Sequence, residues 1–360
     1  MKKNKISSIW LLFIIIFCIF SFGKTISIAE DNIGTAGFSF SINYPDNQLS
    51  DKGYLDLLMK PNQKSSFTLN LVNPSSEDVN VDISITGAKT NKNGVIEYTP
   101  NDIKNDDSLK FPFEKIVTGP NQVLLKPGET KDVKFDIVMP DSDFDGQIVG
   151  GISMIRSTKD DKNEKVEGTQ IKNRYRYVAP VVLQVNKNEV LPKLEFRNIY
   201  PEQLNAKNTI FINYSNINAT FFNDMSVEVS ISKKGKDTVL YQTRKNNMRM
   251  APNSLINFPV SMQGDKMEPG NYTANITVRG DKGIIEHWKE DFKISKDEAD
   301  KYNERDVGLY EERKINWKLI IIITLSVIIL VIIIYFILTK INNKKKSGNL
   351  SRKKNKKKSK

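Results

Sequence analysis

From Gly37 to Ile155 the chain alternates between apolar and polar positions. Phe67, Leu69 and Leu71 alternate with Ser66, Thr68 and Asn70. Val79, Val81, Ile83 and Ile85 alternate with Asn80, Asp82, Ser84 and Thr86, and Val133, Phe135 and Ile137 with Asp132, Lys134 and Asp136. Successive side chains of a strand point to opposite faces, so period two over these lengths marks strands with one face on a core. Turn-forming clusters separate them: Asn73-Pro74-Ser75-Ser76, Lys92-Asn93-Gly94 and Lys126-Pro127-Gly128-Glu129. The pattern requires no amphipathic helix, and antiparallel strands at this spacing imply a β-sandwich. One local form recurs. Lys60-Pro61-Asn62-Gln63-Lys64 and Lys126-Pro127-Gly128-Glu129-Thr130 each lead into an alternating strand. Proline sets φ, the next residue tolerates an unusual φ, and the chain passes into the strand.

Residues 157–173 (STKDDKNEKVEGTQIKN) are charged and without period, a long hairpin tip or an interdomain linker. Residues 174–186 contain a strongly apolar strand, RYVAPVVLQV, which closes the first sandwich or opens a second; periodicity leaves both open. Alternation then returns to about Ile294, through Ile210, Ile212 and Tyr214, Val227, Val229 and Ile231, and Ala274, Ile276 and Val278. Met267-Glu268-Pro269-Gly270-Asn271-Tyr272 leads into the last of these, and Trp288, Phe292 and Ile294 make a final strand. The expectation is two tandem immunoglobulin-like sandwiches, over residues 34–158 and 165–295, in an all-β ectodomain. Ser295-Lys296-Asp297-Glu298 fits a capping box and starts a short helix in a polar stalk, residues 296–316.

The two ends have a different character. Residues 319–338 are an uncharged apolar run of 20 residues, enough at about 1.5 Å per residue to match a bilayer core of about 30 Å. With Trp317 and Tyr335 near its ends, the expectation is a transmembrane helix over residues 317–338 in contact with membrane lipid. Eleven Lys or Arg and no acid follow it in residues 339–360, a tail that the positive-inside rule places in the cytoplasm. Residues 1–29 read as a signal peptide, with Lys2, Lys3 and Lys5 ahead of an apolar core and Ser27-Ile28-Ala29 before the cleavage point. The expected location is therefore the cell membrane, single-pass, with the ectodomain outside in the cell wall. No Leu-Pro-x-Thr-Gly sorting signal stands upstream of the apolar run.

Charge then takes a different meaning. The formal +12 resides in the tail and in Lys2, Lys3, Lys5 and Lys24, leaving −3 for everything between. A nucleic-acid footprint is excluded on that distribution. Cys18, within the leader, is the only cysteine, so the mature chain has no disulfide, thiol nucleophile or cysteine metal site.

The order of motifs resembles the WxL-interacting proteins of Gram-positive bacteria. The matching residues are Tyr44-Pro45, Asn47-Gln48, Tyr54-Leu55-Asp56-Leu57, Lys60-Pro61-Asn62-Gln63 and Thr90-Asn91-Lys92-Asn93-Gly94-Val95-Ile96-Glu97-Tyr98. They continue with Leu125-Lys126-Pro127-Gly128-Glu129-Thr130, Met139-Pro140, Phe144-Asp145-Gly146, Gly150-Gly151-Ile152, Arg174-Tyr175-Arg176-Tyr177-Val178 and Glu298-Ala299-Asp300-Lys301-Tyr302-Asn303. The resemblance implies a non-enzymatic surface protein. Its first domain would bind peptidoglycan and its second host extracellular proteins, with cell-wall proteins carrying the WxL motif as partners. Adhesion or scaffolding is the implied role; the competing reading is an accessory subunit of a membrane sensor or transporter complex.

The chemistry read directly from the residues agrees with the absence of catalysis. His287 is the only histidine and lies one position off the apolar face of the last strand, where a catalytic role is not expected. Asp141, Asp143 and Asp145 have calcium-loop spacing, but Gly146 follows the third acid at once and no bidentate Glu follows at the right distance. Gly150-Gly151 precedes an apolar strand and no helix follows, so it marks close backbone approach or a bulge and not a phosphate cradle. No catalytic residue, metal or cofactor is expected, and the ligand-contact residues are not assigned. Residues 144–151 and 174–185 are the candidate binding surfaces, with core packing the competing use of their apolar side chains.

Overall fold

The computed structural model describes residues 36–50, 52–157, 174–309, 321–335, 337 and 339 of the 360-residue chain. The expected signal peptide and the basic tail beyond residue 339 lie outside the described residues.

The first sandwich packs two sheets. One runs β1 (Ser39–Asn43), β3 (Lys64–Val72), β9 (Thr130–Val138), β7 (Val117–Thr118). The other runs β2 (Leu55–Leu58), β11 (Arg176–Gln184), β10 (Ile148–Arg156), β4 (Val79–Gly87), β8 (Gln122–Leu125). The alternating residues of β3, β4 and β9 point inward as period two requires, and they form one buried cluster with half-buried Ile85 packed against it. Phe67 and Phe135 are register partners across β3 and β9, and their rings stack with centroids 5.2 Å apart. The strand left open by periodicity is β11. It is antiparallel to β10 and parallel to β2, and it buries Ala179, Val181 and Leu183 in the first core. Pro180 faces only β10, since pairing with β2 begins at Val181, so its missing N–H costs β11 no bond to β2.

The two similar turns are similar down to their hydrogen bonds. Gln63 N donates to Lys60 O and Glu129 N to Lys126 O, each at 3.0 Å. The third turn residue has positive φ in both, Asn62 at 57° and Gly128 at 68°. Gln63 Oε1 and Glu129 Oε2 each accept the backbone N–H of the turn's first residue, Lys60 at 2.7 Å and Lys126 at 2.6 Å. Asn73, fully buried, ties the neighbouring turn to the second of these. Its Nδ2 donates to Leu125 O, Lys126 O and Glu77 O, and its Oδ1 accepts from Ser75 N and Oγ.

The second sandwich packs β12 (Leu194–Leu204), β13 (Lys207–Asn216) and β16 (Ser254–Ser261) against β15 (Val239–Met250), β14 (Phe222–Lys233), β17 (Gly270–Arg279) and β18 (Ile285–Ile294). The expected alternating residues of β13, β14 and β17 again form a single core, which Trp288 packs against from β18. Tyr272, at the Pro-Gly-x-Tyr motif, is buried and its hydroxyl donates to Glu268 O at 2.8 Å, a tyrosine corner fastening the turn to β17.

Helix α1 (Lys296–Arg305) starts at the expected capping box, with Glu298 N donating to Ser295 Oγ and Ser295 N to Glu298 Oε2. The segment does not stand clear as a stalk. Ala299 and Tyr302 enter the second core, Asn303 bonds both N and O of Met267, and Asp306 accepts Asn208 N at 2.7 Å.

The expected C-terminal transmembrane helix is corrected by the structure. Among the described residues no helix is long and apolar enough to cross a membrane. Residues 321–335, 337 and 339 are helical. The rest of the expected span, residues 317–320, 336 and 338, lies outside the described residues. An apolar run is a statement of composition, and composition alone does not establish a spanning helix.

Candidate functional site between the sandwiches

The two sandwiches meet through loops, and the polar groups at the junction are paired in detail. A small hairpin, β5 (Lys89–Thr90) and β6 (Ile96–Glu97), reaches out of the first sandwich. Asn91 shapes its tip: Oδ1 accepts from Asn93 N and Val95 N. At that tip Gly94 O accepts Arg249 N from β15 at 2.8 Å, and Lys245 Nζ reaches Asn93 Oδ1 at 2.9 Å. Gly94 has φ 69°, and a Cβ there would lie 2.5 Å from the Met248 side chain, so glycine serves both backbone and fit. Thr90, 2 % exposed, closes the contact: its hydroxyl accepts Ala251 N at 3.0 Å and lies 2.6 Å from Ser254 Oγ.

A second contact centres on Asp106, which is 8 % exposed. Its carboxylate accepts the Ser215 hydroxyl and Ser108 N, and Arg197 Nη2 stands 3.5 Å away. Arg197 sits where the β12–β13 register shifts between Phe196 and Asn198, a bulge that turns its side chain toward Asp106. Burial disfavours the charge on Asp106. Hydrogen bonds from Ser108 and Ser215 together with the Arg197 charge outweigh it, holding the carboxyl below the ordinary carboxylate range. Elsewhere Asn253 Nδ2 donates to Ser108 O and Ile217 O, and Gln147 N donates to Ala219 O at 2.7 Å. Gly146, φ 93°, permits the last contact, since a Cβ there would lie 2.2 Å from Ala219 O.

Beside these contacts a cleft of about 570 Å³ opens, lined by both sandwiches and by the connector at Glu189, Val190 and Leu191. Phe111 and Phe144 form part of its wall, with ring centroids 5.2 Å apart. Asp145 Oδ1 is held by Asn186 Nδ2 and Asn188 Nδ2 at 3.0 and 2.8 Å. Glu189 pairs with Lys282 at 2.7 Å, whose hydrogen bond and charge lower the carboxyl's pKa. Lys110 and Asp143 also line the cleft; both are exposed and neither makes a hydrogen bond or ion pair among the described residues.

The residues singled out by sequence divide accordingly. Within 144–151, Phe144 and Asp145 reach the cleft while residues 148–151 enter β10. A Cβ at Gly150 would lie 2.1 Å from the Phe113 ring and one at Gly151 2.7 Å from Tyr98, the close approach anticipated there. Residues 176–184 are β11, spent on the first sandwich. Among the described residues no group of three or more His, Cys, Asp or Glu could hold a metal ion, Asp141, Asp143 and Asp145 included. His287 is exposed on β18, its Nδ1 3.0 Å from Thr277 Oγ1. The hairpin contact and the Asp106 pair were not foreseen: Thr90 to Tyr98 was legible as a turn, and nothing in it names the partner it meets.

Two family models match the chain. Residues 38–156 match one described as WxL Interacting Protein, peptidoglycan binding domain, and residues 166–304 one described as WxL Interacting Protein, host binding domain. No characterised protein sequence matches at a significant level. Among solved structures, the class 5 fimbriae chaperone CfaA is 15 % identical, with 71 % of this chain and 98 % of that chain covered and a TM-score of 0.27. The Escherichia coli chaperone DraB is 12 % identical, with 72 % and 98 % covered and a TM-score of 0.26. Likeness at that level carries no functional inference.

Proposed function

The chain belongs to the WxL-interacting protein family, and on that premise we propose that it is a non-enzymatic scaffold of the bacterial cell surface. In this reading the first sandwich holds peptidoglycan, and the second presents a surface to WxL-type cell-wall proteins and to host extracellular proteins. The chain works outside the cell, within the wall. The observation that carries the reading is the tandem match to a peptidoglycan-binding and a host-binding domain, neither of them a catalytic module. The paired junction supports it further: ligands on the two sandwiches would be held at a set distance, as a bridge between wall and partner requires.

The test is co-sedimentation of the purified chain with wall sacculi, with and without a WxL-domain protein. Retention of the chain by sacculi, and of the WxL protein only when the chain is present, is the expected result. If the WxL protein sediments equally without the chain, or the chain stays in the supernatant, the scaffold reading fails.

A further inference from the structure

We propose that the cleft between the sandwiches binds a short peptide carrying both a free amine and a free carboxylate, of the kind borne by the glycan strands of wall polymer. The proposal rests on the peptidoglycan reading above and assigns it a site and a ligand class.

Size is the first argument. About 570 Å³ lies within the roughly 300–1,000 Å³ typical of small-ligand pockets, which favour domain junctions. The second is which polar groups remain available. At the junction Asn253, Ser108, Gln147 and Asp106 are committed to contacts between the sandwiches. Along the cleft, Asp145 and Glu189 are held by Asn188 and Lys282. Lys110 and Asp143 are the two charged groups of the lining that spend nothing on the described fold, and they have opposite sign. A ligand bearing a carboxylate and an amine gains a charge-assisted hydrogen bond from each, while a peptide-free glycan strand, with lactyl carboxylates and no amine, can engage Lys110 but not Asp143 that way. The Phe111 and Phe144 rings supply an apolar wall for the aliphatic part of such a peptide. The cleft is complete only when both sandwiches are present, since Asn218 and Asn253 close it from the second.

The experiment is calorimetric titration of the purified chain with a synthetic pentapeptide that has a free lysine amine and a free C-terminus. Peptide-free glycan oligomer is the comparison ligand. Lys110→Glu and Asp143→Lys are measured beside wild type; both positions are exposed, and melting curves verify that the fold is kept. The expected result is pentapeptide binding that weakens about tenfold in each variant, as loss of a charge-assisted bond implies, and weakens with added salt. Equal pentapeptide affinity in wild type and both variants overturns the proposal, as does preference for the bare glycan. If wild type and variants are retained equally by sacculi while the pentapeptide does not bind, the cleft assignment falls and the peptidoglycan reading stands. If wild type is not retained by sacculi at all, that reading falls with it.

Discussion

Asn73 shows how much one polar side chain can hold. It is fully buried, and both ends of its amide are used, so three carbonyls of two turns converge on a single Nδ2. Asn73→Ala should cost about 2–3 kcal/mol, the worth of several buried hydrogen bonds. Asn73→Asp, nearly identical in shape, should cost more, because a carboxylate would face those carbonyls with no proton to give; urea unfolding of both variants measures the order. Asp106 makes a pH prediction. Its folded pKa lies below the ordinary carboxylate value of about 4. Its stabilisation is therefore fully present above that value and is lost as pH falls through the folded pKa. Wild type should melt higher than Asp106→Asn near neutrality, with the gap closing below about pH 4. A gap that is constant with pH would mean that the charge on Asp106 contributes nothing.

Among the elements, the hairpin β5–β6 is the one whose role lies outside its own domain. Two strands of two residues each cannot hold a sheet alone, and its tip is ordered by Asn91 and by what it meets on β15. Gly94→Val would combine an unfavourable φ with a collision against Met248. Thr90→Val keeps the shape and removes the acceptor for Ala251 N. The expected outcome for the pair is separation of one melting transition into two, with each sandwich retaining its own core. Calorimetry reads this directly, and a single unchanged transition would contradict a coupling role. Helix α1 has the reverse character. Its capping box is a local signal and it forms where that signal stands, but Asn303 binds it to the loop at Met267 and Asp306 to Asn208 at the start of β13, both distant in sequence.

For the whole molecule, the boundary between family segments is not the boundary between sandwiches. The second matched segment begins at residue 166, whereas β11, residues 176–184, lies between β2 and β10 in the first sandwich. A fragment ending at residue 156 would lack Ala179, Val181 and Leu183 from its core and expose β10 as a long apolar edge. Fragment 36–156 should therefore aggregate or fail to fold, while fragment 36–186 should give a cooperative melt. Circular dichroism and size-exclusion of the two decide it, and equal behaviour would remove β11 from the essential core.

Strand positions, inward faces, the two Pro turns, the tyrosine motif and the helix cap were legible in sequence because each depends on neighbours a few residues away. Phe67, Val81, Ile137, Ile212 and Val229 point inward for no reason beyond period two, and Glu298 caps because Ser295 is three residues before it. The partner of β11 was not legible, since an apolar strand suits any central position; only the pairing with β10 and β2 decides it. The apolar run near the C-terminus likewise suggested a membrane span, and among the described residues no helix is long and apolar enough to cross one. Nor was the cleft legible. It depends on Lys110, Asp143, Glu189 and Asn253 meeting from loops far apart in sequence, and on Asp106 finding Arg197 across the junction. Local chemistry determines what each segment becomes; which loops then face one another is settled only when two cores have formed and their surplus polar groups must find partners.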